Sequence, residues 1–269
     1  MNILNNLIAD ARRDLLGREK ELRIDNIIIG ETLYTMKDCN TVFTDMKFCL
    51  VLFENAYGFS YFQEKIDYSP SNFVNKNALD VIGDAPVHMQ VAITDALYCL
   101  INEKDFKNKL LFTGNIRQKG RKRANALLAH IPNGSKILLL GAAAEIIEEA
   151  KIKNCHIKVL DLEEQKIGLG FYSTDINDGK ISDIQKEIKE TDYVVATGMI
   201  FVSQTADKIF ELSRENGKNL TLYMETGSNF GPQLVGYGAD TVLSEFFPYY
   251  DFFGDTKYLI FRKEEATSQ

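Results

Sequence analysis

A glycine that follows one apolar strand, and a carboxylate that ends the next, form the first pair of residues whose spacing suggests chemistry. Gly141 follows the run Lys136–Leu140, and a turn there leads into a helix N-terminus, which favours an anion. Asp161 lies 20 residues further on, where an acidic side chain can accept hydrogen bonds from ribose hydroxyls. The pair predicts a nucleoside-binding site, and a plain strand-to-helix turn is the alternative.

The glycine pattern also bears on which cofactor is expected. In the dinucleotide fingerprint a second glycine lets a pyrophosphate approach the backbone. Ala143 stands in that place, and its methyl group disfavours NAD and FAD. S-Adenosylmethionine carries no pyrophosphate, so it is less disfavoured and is one candidate cofactor, although many of its binding loops are also rich in glycine. The predicted cofactor-binding residues are Gly141, Ala142, Asp161, Leu162, Thr197 and Gly198.

Polar residues follow two further apolar runs of the second half. Thr197-Gly198 comes after the run 192–196, and Glu225-Thr226-Gly227 comes after the run 220–224. Because ligands bind at the carboxyl ends of parallel strands, we expect these residues at one edge of a sheet. Glu225 is the charged candidate there, as a metal ligand, a base or the partner of an ammonium group. The alternative is that threonine and glycine simply end strands.

The second half of the chain must position these residues through alternating strands and helices. Apolar, strand-like runs occur at 136–140, 157–160, 192–196, 220–224, 240–243 and 258–261. Helical patterns separate several of them, at 142–152, 181–189 and 205–215. Such alternation predicts a mostly parallel, Rossmann-like sheet.

The first half has a different pattern. A helical pattern at 3–16 precedes strand-like runs at 24–29, 48–53 and 57–62, and a second helical region begins at 77. The turns between these runs are too short for crossover helices, which predicts an antiparallel meander. We therefore expect an α/β protein, with an α+β domain at 1–112 followed by a Rossmann-like ligand-binding domain at 113–269.

Composition and charge exclude several classes of protein. The 269 residues include 31 basic and 38 acidic side chains, for a net charge of −7. This charge argues against partners that need a positive field, such as nucleic acid or an anionic membrane. No apolar run approaches the ~18 residues of a membrane span, and the N-terminus lacks a signal-peptide pattern. Four cysteines without a C-x-x-C pair fit buried thiols in a reducing compartment, so we expect a cytoplasmic protein.

Three other groups of residues favour structural roles. His88, His130 and His156 do not have the spacing of metal ligands. The basic cluster 117–123 favours the solvated start of a helix over a phosphate or carboxylate site. The aromatic run 246–253 favours packing, between the domains or at the interface of a homodimer, over stacking on a flat ligand.

Several short motifs resemble those of the heavy-metal chelation family, two-domain proteins of uncharacterised function. The motifs of the second half are at 140–141, 194–198, 204–205, 231–232 and 236–240, and the looser ones of the first half are at 29–32, 57–59 and 92–96. The resemblance implies a first domain like the N-terminal domain of enolase, a Rossmann-like second domain and a ligand in the cleft between them. The segment after Pro232 departs from the family pattern of serine, threonine and proline.

The resemblance also implies which residues lie near the ligand. Carried onto this chain, they are Glu31, Thr197, Gly198, Glu225, Gly231 and Pro232. Among the residues near the predicted site, Glu225 and Glu31 are the catalytic candidates. Thr32, Thr226, Gly231 and Pro232 are the candidates for binding the substrate. The sequence identifies no metal ligands.

Three functions remain open at this point. The resemblance implies a cytoplasmic protein that binds, or helps to make, a small metal-chelating compound, with a divalent metal as an alternative cofactor. The glycine turn and Asp161 predict a transferase that uses S-adenosylmethionine on a small molecule. The third function is a non-catalytic sensor whose domains close on a small-molecule ligand.

Overall fold

The computed structural model describes residues 2–35, 42–104, 106, 109–248 and 254–263. The chain forms two compact units, and each is assembled from separate segments. Unit 1 contains Met1–Asn108, Gly198–Asp207 and Glu225–Gln233, and unit 2 contains Lys109–Thr197, Lys208–Met224 and Leu234–Gln269. These units are defined by internal contacts, so the predicted division into continuous domains at residue 112 stays a prediction.

The helices and strands are named here in chain order. They are α1 (Ile3–Asp14), β1 (Asn26–Thr35), β2 (Val42–Leu52), β3 (Tyr57–Phe62), α2 (Ala78–Val81), α3 (Val87–Ile101), β4 (Leu110–Phe112), α4 (Ile116–Leu128), β5 (Lys136–Leu140), α5 (Ala144–Ile152), β6 (His156–Asp161), β7 (Gly170–Phe171), β8 (Thr174–Asp178), α6 (Ile184–Lys189), β9 (Tyr193–Thr197), α7 (Met199–Val202), α8 (Ala206–Glu215), β10 (Asn219–Met224), α9 (Gly231–Tyr237), β11 (Thr241–Phe246) and β12 (Thr256–Arg262). Short 3-10 helices lie at Glu19–Leu22, Pro70–Asn72, Ile82–Asp84 and Ser228–Phe230.

Unit 1 contains an antiparallel sheet with the strand order β1-β2-β3, as the short turns of the sequence predict. Helix α3 packs on this sheet, and most of its residues are buried. The closest approach is at Gly58 of β3, where a Cβ atom would lie 1.9 Å from the carbonyl oxygen of Ala92. A residue without a side chain is therefore needed for the strand to lie on the helix backbone.

Unit 2 contains a mostly parallel sheet with the order β4-β12-β11-β10-β9-β5-β6-β8-β7. Its parallel strands, numbered as they appear in the chain, have the order 3-2-1-4-5-6 of a dinucleotide-binding Rossmann sheet. Strand β12 pairs antiparallel with β11 and with β4 at one edge, and β7 pairs antiparallel with β8 at the other. The predicted α/β class, with a small antiparallel sheet and a Rossmann-like mostly parallel sheet, is confirmed.

Strand β8 and helix α4 of unit 2 illustrate where the structure departs from the apolar pattern. Strand β8 reads Thr-Asp-Ile-Asn-Asp, and its buried residues alternate with exposed ones, so a search for continuous apolar runs misses it. Helix α4 begins at Ile116, one residue before the basic cluster 117–123. Its first turn is polar, and Asn115 caps it through a capping box with Gln118, a signal of the helix start that the prediction did not use.

Within the described ranges, no helix is both long enough and apolar enough to span a membrane. Cys49, Cys99 and Cys155 are free thiols, and Cys49 and Cys155 are buried. Cys39 lies outside the described residues.

Candidate functional site

The predicted cofactor residues of unit 2 meet where the order of the parallel strands reverses. After β5 the chain adds β6 on one side, and β9 lies on the other side of β5. The turns that follow β5 and β9 therefore border a switch point, the usual ligand site of an open α/β sheet. Leu140 and Ala196 are register partners there, so Gly141 and Thr197 are neighbours.

Gly141 needs to be glycine for two reasons. Its φ is +93°, in the left-handed region, and a Cβ atom would lie 2.5 Å from the hydroxyl oxygen of Thr197. Its N–H donates to the carbonyl oxygen of Leu160 at 2.9 Å. The glycine is thus required by the turn and by the close approach of the neighbouring strand, whatever ligand binds.

The carboxylate of Asp161 stabilises this turn through hydrogen bonds to the backbone. Oδ2 accepts from the Ala142 N–H at 2.7 Å, and Oδ1 accepts from the Glu163 N–H at 2.9 Å. The ammonium of Lys166 lies 3.7 Å from Oδ2 and also pairs with Glu163. The side chain is only 8% exposed. A carboxylate offers about four acceptor positions, so the two backbone bonds leave acceptor capacity in a fixed orientation.

The backbone of the turn is less suited to a pyrophosphate. The Ala142 N–H, which could face a phosphate, already donates to Asp161. Ala143 is the N-cap residue of α5, and its side chain makes no capping hydrogen bond. Leu162 beside Asp161 is 38% exposed. The turn therefore presents small and apolar side chains next to a buried carboxylate.

The predicted residues that follow β9 and β10 belong to unit 1. A Cβ atom on Gly198 would lie 2.2 Å from the carbonyl oxygen of Thr226, so these two segments are in close contact. The Thr226 hydroxyl accepts from the Tyr61 N–H at 3.0 Å and donates to the sulfur of Met199 at 3.8 Å. Thr226 is thus buried and engaged in the packing of its own unit.

Asp95 of α3 holds the same segment through a network that the sequence reasoning missed. Its carboxylate accepts from the Asn229 N–H at 2.6 Å, from Asn229 Nδ2 at 3.0 Å and from the Phe59 N–H at 2.9 Å. Asn229 Nδ2 also donates to the carbonyl oxygen of Tyr57 at 3.0 Å. Asp95 and Asn229 are both fully buried. A lone acidic residue inside an apolar helix is the signal that could have identified this position.

Asn102 adds a second buried link to the segment 225–233. Its Nδ2 donates to the carbonyl oxygen of Asn229 at 2.8 Å. Asn102 and Gln233 also exchange two amide hydrogen bonds, each of 3.0 Å. The segment is therefore tied to α3 at two points.

The remaining predicted site residues of unit 1 are spread over several elements. Glu31 lies on β1 opposite Lys47, with 3.9 Å between the two charged groups, and is exposed. Thr32 follows it, in register with Met46. Glu225 is half-buried, and Gly231 and Pro232 begin α9.

The predicted site residues form two groups. Gly141, Ala142, Asp161 and Thr197 come together in unit 2, and Gly198 and Thr226 come together in unit 1. The ligand in a cleft between domains stays a prediction.

The basic cluster 117–123 is only partly a solvated helix start, contrary to the expectation. Arg117 and Arg121 are exposed and pair with Glu148. Lys119 is buried, and its ammonium donates to the carbonyl oxygen of Gly254 at 2.7 Å. Arg123 is mostly buried and pairs with Glu245. Residues four apart lie on one helix face, so one face of α4 is buried and the other solvated.

Arg123 forms an ion pair with a buried carboxylate of unit 2. Glu245 of β11 is 1% exposed. Its Oε2 accepts from Arg123 Nη1 at 2.9 Å and from the Tyr223 hydroxyl at 2.9 Å. The Arg123 guanidinium also lies 5.0 Å from the centre of the Tyr223 ring. Burial of the Arg123 and Glu245 charges costs desolvation free energy, and the hydrogen bonds of the pair oppose that cost.

The aromatic run is described only in part. Phe246 is 1% exposed, and the Lys109 ammonium lies 3.7 Å from the centre of its ring. Tyr249, Tyr250, Phe252 and Phe253 lie outside the described residues. The choice between packing, a homodimer interface and a ligand-stacking loop stays a prediction.

Two of the three histidines, His88 and His130, make side-chain contacts to aromatic rings and hydroxyls. His88 stacks on Phe62 with ring centres 3.9 Å apart, and its Nε2 lies 2.7 Å from the Tyr68 hydroxyl. His130 Nε2 lies 2.9 Å from the Thr221 hydroxyl. In the described ranges, no group of three or more His, Cys, Asp or Glu side chains is placed to hold a metal ion.

Comparison with known proteins supports the fold and leaves the activity open. No protein-family model matches the sequence, and no curated protein matches it with significance. The chain is similar in structure to a DUF364-family protein of unknown function from Desulfitobacterium hafniense, with a TM-score of 0.60 and 13% identity over 96% of this chain and 99% of that one. A second DUF364-family protein of unknown function, from Pyrococcus horikoshii, has a TM-score of 0.58 and 11% identity over the same shares. At this identity the likeness shows a shared fold.

Proposed function

We propose that this protein binds a small molecule of the S-adenosylmethionine class at the switch point of unit 2. The observation that carries the proposal is the Asp161 carboxylate, which is fixed by the Ala142 and Glu163 N–H groups beside the Gly141 turn. Its remaining acceptor positions suit the two hydroxyls of a ribose. Lys166 balances its charge in the absence of a ligand.

The same turn favours an adenosyl compound over a dinucleotide. A pyrophosphate gains affinity from free backbone N–H groups at a helix N-terminus. Here the Ala142 N–H donates to Asp161, and Ala143 carries a methyl group where a dinucleotide site has glycine. An adenosyl sulfonium compound needs neither the free N–H nor the glycine. NAD therefore stays disfavoured.

A transferase and a sensor both begin with this binding step. In a transferase the adenosyl compound would donate a group to a small-molecule acceptor, and in a sensor it would leave unchanged. The chelation function rests on the family resemblance, and the expected divalent metal rests on it too. Binding of a divalent metal without an adenosyl compound would favour that alternative.

The test is a calorimetric titration of the purified protein with S-adenosylmethionine, S-adenosylhomocysteine, NAD and Zn²⁺. We expect saturable binding of the two adenosyl compounds and none of NAD. Analysis of the ligand after incubation with candidate amines and thiols then separates transfer from sensing. Lack of binding of both adenosyl compounds would contradict the proposal.

Two variants distinguish the predicted site from binding elsewhere. Ala143→Leu adds bulk at the turn and leaves Asp161 in place, so affinity should fall about tenfold or more, or 1.4 kcal/mol. Lys153→Leu adds a leucine at the other end of α5 and should leave affinity unchanged. Equal affinity of both variants would place the ligand away from the Gly141 turn. Thermal unfolding of each variant checks that it folds.

A further inference from the structure

A cavity lies within unit 1, separate from the switch point of unit 2. Its volume is about 320 Å³, which lies in the range of small-molecule sites. Its apolar wall includes Phe201 of α7 and Val87 at the start of α3. Polar side chains from three separate parts of the chain complete the lining. No function assigned above uses this cavity.

The one charged side chain among the described lining residues is Asp207. Its Oδ1 accepts from the Ile3 N–H at 2.7 Å and thereby caps α1. No partner for Oδ2 occurs among the described residues. Asp207 is half-buried, so a cation that reaches Oδ2 would interact with a carboxylate held in place by its other oxygen.

The other polar groups of the lining are side-chain amides. Gln90 donates from Nε2 to the carbonyl oxygen of Ala85 at 2.8 Å, which leaves Oε1 as an acceptor. The side-chain amides of Asn5 and Gln204 make no hydrogen bond within the described part of the chain. The cavity therefore offers several acceptors and one negative charge, with no Lys, Arg or His among its described lining residues.

Gln204 occupies a strained position at this cavity. Its φ is +57°, in the left-handed region that is strained for a residue with a side chain. Such strain persists where the surrounding structure imposes it, and it is concentrated at binding sites. The chain turns at Gln204 between α7 and α8, and this turn brings Phe201 and Asp207 to the same cavity.

From this arrangement we propose that the cavity binds a small organic cation, a primary amine with a short apolar body. The ammonium would pair with Asp207 Oδ2 and donate to amide oxygens such as Gln90 Oε1. The apolar body would lie against Val87 and Phe201. This site is independent of the adenosyl site, and either can exist without the other.

The test uses n-butylamine and 1,4-diaminobutane as probes, with 1-butanol as the uncharged analogue, titrated calorimetrically at millimolar concentration. Asp207→Asn keeps an oxygen that accepts from the Ile3 N–H and removes the charge, so α1 stays capped. We expect the wild type to bind the amines and not the alcohol. We expect Asp207→Asn to lose affinity by roughly tenfold to a hundredfold, since a hydrogen bond to a charged group is lost.

Asp80→Asn is the matched control, because it removes an exposed carboxylate of α2 outside the cavity lining. It should bind the amines as the wild type does, and all variants should unfold at similar temperatures. The proposal is overturned if the wild type binds no amine, if 1-butanol binds equally well, or if Asp207→Asn retains full affinity. Equal loss in both variants would show a general charge effect and would also overturn it.

Discussion

The Asp95 carboxylate shows how one buried residue can order a distant segment of the chain. It lies on α3, and its partner Asn229 is 134 residues away in sequence. Three N–H donors bond to the carboxylate in the core of unit 1. Without it, the Phe59 and Asn229 N–H groups would lose this buried acceptor.

Replacing Asp95 therefore tests the buried network. Asp95→Ala should destabilise the protein by about 3 kcal/mol or more, because buried N–H donors lose their acceptor. Asp95→Asn keeps one acceptor oxygen and should fall between Asp95→Ala and the wild type. Chemical denaturation measures both. Asp80→Asn, an exposed change in the same unit, should stay within about 0.5 kcal/mol, and a similar cost for Asp95→Ala would contradict the account.

Two buried histidines predict how stability depends on pH. Burial lowers the pKa of His88 and that of His130, so the folded protein holds both in the neutral form. As the pH falls through about 6.5, these two histidines become protonated in the unfolded chain but stay neutral in the folded chain. The free energy of unfolding therefore decreases. Above that pH both states are neutral and this contribution is constant.

Denaturation titrations from about pH 7.5 to about pH 5.5 measure this effect. The double variant His88→Gln, His130→Gln should have a flatter dependence than the wild type. His88→Gln alone should flatten the dependence by less than the double variant does. A wild-type stability that rises as the pH falls through this window would contradict the pKa directions.

At the scale of elements, the packing of β3 on α3 depends on one glycine. A Cβ atom on Gly58 would lie 1.9 Å from the carbonyl oxygen of Ala92 and 2.2 Å from the backbone nitrogen of Ala96. These are backbone atoms, which cannot rotate away as a side chain can. Gly58→Ala should therefore force the strand from the helix and destabilise unit 1 by roughly 1–3 kcal/mol or more.

Gly83→Ala is the matched control for this change. A Cβ atom on Gly83 would meet nothing within 4 Å, and its backbone lies outside the left-handed region. The substitution should be neutral or stabilise the fold by up to about 1 kcal/mol. Thermal unfolding distinguishes the two variants. Equal melting temperatures would mean that β3 and α3 do not pack as described.

The elements also mark the limit of prediction from the sequence. Strands β5, β9 and β10 are recognisable because each is a short, mostly buried apolar run of a largely parallel sheet. Strand β8 is polar on alternate residues, and the capping box at Asn115 precedes a strongly polar first turn. Both signals are present in the sequence, but they differ from the continuous apolar pattern on which the prediction relied.

At the scale of the whole molecule, successive segments of the chain belong alternately to unit 1 and unit 2. The segments 198–207 and 225–233 leave the strands of unit 2 and belong to unit 1. The segment 225–233 is tied to Asp95 of α3 and to Asn102 at the end of that helix, and both links join residues more than a hundred positions apart. A single sequence carries no periodic signal for such contacts. The turn at Gly141 and the place of Asp161 at the end of the next strand were predictable from strand order and spacing, whereas the hydrogen bond from the Ala142 N–H to Asp161 was not predicted.

The measurement that tests the central claim most directly is hydrogen–deuterium exchange with and without S-adenosylhomocysteine. A ligand at the switch point of unit 2 should slow exchange in peptides that cover Gly141–Ala143, Asp161–Glu163 and the end of β9. Peptides of β12 at the far side of the sheet should exchange as before. No protection, or protection confined to β12 and its neighbours, would contradict an adenosyl site at the Gly141 turn.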